Sequence, residues 1–521
     1  MRIYLLAAMV WLAGGVFPNT TAAKTLRIGW AQADITPSEP VCIAGQFHVR
    51  VSEGVLDPIT ATALALESVG DQTPAAMVLV SCDLIAIHDS LRDALRDHLR
   101  RDLPELDPMA VLIAATHTHS APLTSTHERY DPLQTPVANI YGDNFGAMAP
   151  ADYVTYAAER IARAVIEAWR RRAPGGIAYG LGHAVVGRNR LTTYLDGRSR
   201  MYGPVNDPEF SHMEGYENPA LHVLATYSAD RRMTGLILNL ACPAQVSESS
   251  MKLSSDFWHE TREELRSRFG ESLFVLAQNA PSGDQSPHLP GNECSRPSSE
   301  TRGENPEVRM WRLAGRSQQE EIGVRIADAV GSILPLIEKE IVWAPILAHR
   351  VETIELPRRL IPAGDVEQAR SEAAKQRAAY EALMSDRQVN PELLRDRQWA
   401  HNVSRAFRLM RRNERVMERF EFQQTHPTVA IELHAARLGD IAFASNPFEL
   451  YLDYGLRIQA RTRAVQTFLV QLAGPGSYVP TARSVAGGAY GAVPASTEVG
   501  PDGGQVLVER TIAAVNAFWE E

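Results

Sequence analysis

The sequence predicts an α/β protein in which mixed sheets are flanked by helices, and three observations carry that reading. Short runs rich in Val, Ile and Leu alternate with amphipathic stretches along most of the chain. Polar loops, two of them containing glycine, follow directly on four of those apolar runs, the place where α/β folds put their chemistry. The 521 residues are 45% hydrophobic and 22% charged, with four Cys and a formal net charge of −10. That composition excludes disordered, collagen-like and disulfide-scaffold chains. No basic block interrupts the acidic balance, so neither a nucleic acid nor an anionic membrane is expected as a partner.

Taken in order, residues 1–23 read as a signal peptide: Arg2, an apolar run over 3–17, and a small-residue exit at Thr21-Ala22-Ala23. The run is broken by Gly14-Gly15 and ends at Pro18, short of the ~20 residues a membrane span needs. Export to the periplasm or medium is expected, and residues 24–521 should form one catalytic domain without a later transmembrane segment. Residues 76–87 predict a strand, 89–103 a helix, 110–116 a strand and 151–172 a helix. Strands follow at 221–228 and 234–241, then a helix at 256–269 and a strand at 272–277. Between 365 and 420, apolar residues at helical spacing sit among dense Arg, Glu and Gln, with Asn390-Pro391 as the break. This is a helical hairpin insertion, and its charge predicts a solvated one. Strands resume at 428–438 and 441–444, and a helix at 504–520 closes the chain. Cys42, Cys82, Cys242 and Cys294 are far apart and form no zinc-knuckle pattern. An oxidising compartment leaves room for one or two disulfides, while Cys82, inside an apolar run, reads as a buried thiol.

The first chemistry-bearing loop is Thr116-His117-Thr118-His119-Ser120, after the 110–113 run. Strand alternation would project His117 and His119 from one side. Two imidazoles so placed suit a divalent metal, and equally suit two hydrogen-bonded histidines. The second loop, 278–288, contains Gly283-Asp284-Gln285-Ser286-Pro287. The third is Ser445-Asn446-Pro447-Phe448-Glu449 and the fourth spans 474–481. Four such loops after four strands predict a single crevice.

Thr116-His117-Thr118-His119-Ser120-Ala121-Pro122 resembles the THTHSGP of neutral ceramidases, and Gly283-Asp284-Gln285-Ser286-Pro287 resembles their GDxSP loop. Residues 28–36 look like their GVGRADIT start, and Ala44-Gly45-Gln46 falls where they carry MGY. Asn189-Arg190 is similar to their NRS, Pro447-Phe448-Glu449 to PGE, and Tyr478-Val479-Pro480-Thr481 to YxTT. The matches are colinear over 26–490, so the chain resembles the neutral, non-lysosomal ceramidase superfamily. The resemblance implies a Zn2+-dependent amidohydrolase, one ion per chain, with metal ligands at His117, Glu449 and Tyr478. Where the family has a second histidine, Cys242 stands in Ala241-Cys242-Pro243, and a thiolate also binds zinc. Asp256 and His259, three apart on a helix, are an alternative, or else a helix cap and its neighbour; loss of the metal is a third reading. The resemblance further implies that His119 handles the substrate proton and that Arg190 and Tyr490 steady the oxyanion. It places Ser286 beside the carbonyl, as hydrogen-bond donor or nucleophile, and Gly45 close against substrate.

The substrate expected on this basis is a small or lipid-like N-acyl compound. Ceramide itself is put in question by Ala121, by Gly487-Gly488-Ala489-Tyr490-Gly491 in place of QRYEGA, and by the hairpin, which matches no family motif. An esterase or lactonase using the same site is the alternative reading, and a non-catalytic exported binding protein a further one. No C-terminal immunoglobulin-like domain is expected, because the chain ends about 30 residues after Tyr490.

Overall fold

A computed structural model describes residues 25–70, 75–126, 140–143, 145–289 and 306–520. The leader read at 1–23 and Cys294 lie outside them. Among the described residues the largest sheet has eight strands, in the order Phe274–Asn279, Met233–Leu240, Ala220–Ser228, Ala173–His183, Thr25–Asp34, Thr60–Val69, Ala76–Cys82, Val111–Ala115. Its middle seam is short: Thr25–Asp34 and Ala173–His183 share only the pairs Arg27 with Pro174 and Ile28 with Ala173. The sheet therefore divides into two four-stranded halves. A second sheet joins Leu347–Pro357, Thr428–Leu438, Ile441–Ser445 and Gln466–Val470.

One apolar core draws on all three strand groups, including Leu79 and Leu112, Leu224 and Leu276, and Phe443 and Phe468. Helices cover the outer faces. Asp89–Asp102 and Pro150–Arg170 pack on one half of the large sheet and Phe257–Phe269 and Gln318–Ile337 on the other. Leu452–Arg461 and Pro501–Asn516 cover the second sheet. Pro150–Arg170 shows why: Tyr153, Ala157, Ile161, Ala164 and Ala168 recur at helical spacing and are buried, and Pro150 starts the helix at no cost in hydrogen bonds. No helix among the described residues is long and apolar enough to cross a membrane.

Within the two large sheets three neighbouring strand pairs run parallel: Ala76–Cys82 with Val111–Ala115, Met233–Leu240 with Phe274–Asn279, and Ile441–Ser445 with Gln466–Val470. The loops singled out by sequence leave the C-terminal ends of these strands. Gln471 binds three of the loop segments together, accepting from Ser282 N and Leu450 N and donating to Ser282 Oγ.

The hairpin consists of helices Ala363–Val389 and Arg397–Phe422, with a short 3-10 turn at Pro391–Arg395. The expectation of a solvated insertion needs correction for its second helix. Trp399, Val403, Ala406, Met410 and Val416 are buried, and another stripe of the same helix lines a cleft described below.

Arg96 on helix Asp89–Asp102 reaches Glu432 on strand Thr428–Leu438 at 2.6 Å, and His434 Nε2 lies 2.8 Å from the same oxygen. Burial opposes ionisation of Glu432, but the hydrogen bonds from His434 and Arg96 prevail and pull its pKa from 4.5 to about 2. A depressed carboxyl stabilises the fold fully above its unfolded pKa and loses that contribution as pH falls through the folded value. Glu432→Gln is therefore expected to cost about 2–3 kcal/mol at pH 7. The gap to wild type should close between pH 4.5 and pH 2. Denaturant unfolding at pH 7 and at pH 3 checks both points.

Candidate active site

The His117 loop starts one residue after strand Val111–Ala115, so strand alternation does not place the two histidines. A turn does. His117 takes a left-handed backbone, φ +67°, a conformation that costs energy for a residue with a Cβ and persists where surroundings enforce it. The enforcing contacts are His117 N to Leu84 O at 2.9 Å and Thr116 Oγ1 to Asp83 at 3.3 Å. Asp83 is itself held by both guanidinium nitrogens of Arg262, at 2.8 and 2.9 Å. The rings of His117 and His119 end 5.0 Å apart and nearly perpendicular.

His117 Nδ1 lies 2.7 Å from Ile85 O. A carbonyl only accepts, so Nδ1 carries the proton and the lone pair sits on Nε2. Nε2 faces Glu449 Oε2 at 3.5 Å. Tyr478 bonds to that carboxylate, and its hydroxyl accepts from Arg190 at 3.2 Å. Arg190 Nη2 stands 4.0 Å from Glu449 Oε2 and donates to Gly283 O at 2.9 Å. Burial opposes the charge of Arg190, yet Tyr478, Tyr202 and Glu449 raise its pKa well above the usual arginine value. For Tyr478, burial and Glu449 push the hydroxyl up while Arg190 pulls it down.

The residues fit a divalent metal. Two donors each ~2.1 Å from a tetrahedral zinc stand ~3.4 Å apart, close to the 3.5 Å between His117 Nε2 and Glu449 Oε2. The bond from Nδ1 to a backbone carbonyl is the usual outer support for a ligating imidazole. Tyr478 would be the third ligand, leaving one position open, as catalytic zinc sites do. Among the described residues no three His, Cys, Asp or Glu side chains gather as a metal site without it.

His119 is held differently. Neither ring nitrogen has a hydrogen-bond partner, and Glu248 Oε2 is 3.6 Å from Nδ1. Burial, then His117, Arg50, Arg190 and His288, push its pKa well below the ordinary histidine value, so it is a neutral imidazole at pH 7. Gly45 leaves it room. Its φ is +101°, and a Cβ there would meet His119 Nδ1 at 2.7 Å. Tyr490 packs edge-on to Tyr478, ring centres 5.9 Å apart. Gly45, His117, His119, Glu449, Tyr478 and Tyr490 all line one cleft of about 410 Å³.

Solved structures share this arrangement of elements. The neutral ceramidase of Pseudomonas aeruginosa superposes with a TM-score of 0.65 at 18% identity, over 95% of this chain and 75% of that one. A ceramidase complexed with C2 gives 0.63 at 17% identity, with the same two coverages. The fold is ceramidase-like. No family model matches the sequence, and no curated protein matches it either.

Within this ceramidase-like fold two of the sequence assignments fall elsewhere. Cys242 is not brought to the His117–Glu449 cluster: it is fully buried in the core under helix Phe257–Phe269, its thiol 3.5 Å from Pro243 O. Burial, then Asp256, raise its pKa well above the ordinary thiol value, the opposite of what a thiolate ligand needs. Asp256 caps helix Phe257–Phe269 and accepts from Val246 N, Ser247 N and Ser247 Oγ. His259 lies one helical turn further on. The residue that segment 241–246 presents on the site side is Gln245, which donates to Tyr202 at 2.7 Å and to Ser286 Oγ at 3.3 Å, its own carbonyl oxygen unpartnered.

Ser286 Oγ is surrounded by Tyr202, Gln245 and the backbone N of His288. All three donate to Ser286 Oγ, and neither a histidine ring nor a carboxylate is among these partners. Sequence reasoning missed Tyr202, Gln245, Glu248 and His288. Glu248 lies between two histidines without a hydrogen bond to either ring, 3.6 Å from His119 Nδ1 and 3.4 Å from His288 Nε2. Only His288 carried a signal, its position just after the GDxSP-like loop.

Proposed function

We propose that the protein is a hydrolase of N-acyl amide bonds that works with one Zn2+ held by His117, Glu449 and Tyr478. The observation that carries the reading is the His117–Glu449 pair, with its lone pair and carboxylate facing each other at a metal-ligand separation, at the strand ends of a ceramidase-like fold. Zinc bound there supplies Lewis acidity toward the carbonyl oxygen and lowers the pKa of water toward ~7. The chain does the rest. Arg190, held cationic by its neighbours, and the Tyr490 hydroxyl stabilise negative charge as it develops on the carbonyl oxygen. His119, neutral with both nitrogens unpartnered, takes the proton of the attacking water and returns it to the leaving nitrogen. Water's oxygen joins the acyl carbon, the C–N bond breaks, and a carboxylic acid and an amine leave.

The test pairs purified protein with an N-acyl amide and its matched ester, alongside metal analysis. Zinc near one ion per chain and faster turnover of the amide support the reading. Preference for the ester assigns an esterase to the same site, and undiminished turnover by metal-free protein overturns the zinc assignment.

A further inference from the structure

The hairpin helix Arg397–Phe422 sends Arg408, Arg412, Arg415 and Arg419 into the cleft that holds His117 and His119. Their spacing of four, three and four residues puts them on one face, a row of about 16 Å at 1.5 Å per residue. Two carboxylates of this helix are engaged by other arginines: Glu414 binds Arg377 and Arg411, and Glu418 binds Arg411. The cleft's own acids are engaged as well, Asp89 by Arg92 at 2.9 Å and Glu449 by His117 and Arg190.

The four arginines are not equivalent. Arg419 is spent on the backbone, donating to Pro494 O and Thr497 O. Arg412 is positioned by neutral groups: its guanidinium lies over Tyr490 at 4.8 Å and Phe47 at 5.6 Å and donates to Ser496 Oγ at 2.5 Å. Arg408 feels burial first, then the Tyr141 hydroxyl, then the like charges of Arg415 and Arg412. Among the described residues no carboxylate pairs with either Arg408 or Arg412. Two guanidiniums one helical turn apart in a cleft, that of Arg412 stacked on aromatic faces and neither paired with a carboxylate among the described residues, form a receptor for an oxyanion.

We propose that Arg408 and Arg412 bind an anionic group of the substrate, so that the compound cleaved is an N-acyl amide that also carries a carboxylate, sulfonate or phosphate. This rests on the cleft being the hydrolytic site. The arginine row belongs to the hairpin, which makes the insertion the specificity element of the enzyme. Residues beside the scissile bond act on the amide, while Arg412, stacked on Tyr490, reads the charge one ring away.

Equilibrium binding separates this inference from the hydrolase reading, because it needs no turnover. The probes are N-hexanoyltaurine and N-hexanoylethanolamine, matched in acyl chain and amide and differing in a sulfonate against a hydroxyl. The full chain is expected to bind the taurine compound at least about 10-fold more tightly at low salt, as two charge-assisted contacts imply. That preference should shrink at 0.5 M NaCl, where screening is strong. Arg408→Gln with Arg412→Gln should bring the two affinities together, whereas Arg408→Lys with Arg412→Lys should keep part of the difference. Because the readout is a ratio between two probes in one protein, a general loss of folding does not imitate the result. Equal affinities in wild type, or a preference that survives both glutamines, overturn the proposal. Preference without any hydrolysis leaves it standing and removes the amidase reading instead.

Discussion

On the proposed function, His117→Ala is expected to lower kcat/KM for an N-acyl amide by about 10³-fold or more and to abolish zinc binding, while the unfolding midpoint stays close to wild type. The expected size follows from what would be lost: the imidazole whose lone pair is directed at Glu449, and with it the Lewis acidity and acidified water that a bound zinc would supply. Stability should change little, because the ring's only hydrogen bond is to Ile85 O and the turn is held by backbone and by Thr116. Zinc analysis and steady-state kinetics on the same preparation check it. A variant that retains both zinc and activity removes His117 from the site.

Arg262→Met is the counterpart on the side of stability, with an expected loss of about 3–5 kcal/mol. Arg262 and Asp83 are 4% and 0% exposed at their side chains and joined by two bonds. Methionine fills the space but leaves the Asp83 carboxylate buried without its cation, and that uncompensated charge sets the cost. Asp83 also accepts from Thr60 N, Thr60 Oγ1 and Thr116 Oγ1, so loosening it reaches the His117 turn. Denaturant unfolding measures the first effect. The second appears as activity lost at temperatures where the variant is still folded. The double variant Asp83→Leu with Arg262→Met should recover much of the stability, since removing both charges removes the penalty.

Much of the strand and helix order was legible because each element is either buried throughout or amphipathic at one period. Strand Thr428–Leu438 matches its predicted bounds, and helix Asp89–Asp102 and strand Val111–Ala115 fall within a residue or two of theirs. The long strand Ala173–His183 and the helix Gln318–Ile337 were not read from pattern. The strand is rich in glycine and the helix has apolar residues over much of its surface, so neither shows a clear period. The hairpin was visible as two helices, but not its cleft-facing side. An arginine row looks the same in sequence whether it meets water or a substrate cleft.

His117, His119, Glu449 and Tyr478, which line one cleft, could be singled out because each sits in a short polar motif just after an apolar strand, and such a motif travels with its strand end. Cys242 was assigned to the same cluster by position alone. The chain turns immediately after Leu240, with Cys242 N donating to Leu240 O, and that turn sends the thiol into the core and Gln245 toward Ser286. One residue of phase in a turn decides which side chain faces a site, and no local pattern encodes it. Local sequence determined the elements, the loops at their ends and the chemistry those loops carry, since these depend on residues within a few positions of one another. Which loops meet, and so the pairing of His117 with Glu449 across 332 residues of chain and the placing of Arg408 and Arg412 over the cleft, was decided by packing three strand groups around one core. Burial rewards apolar area without regard to sequence separation, and the polar groups take the positions that this packing leaves them.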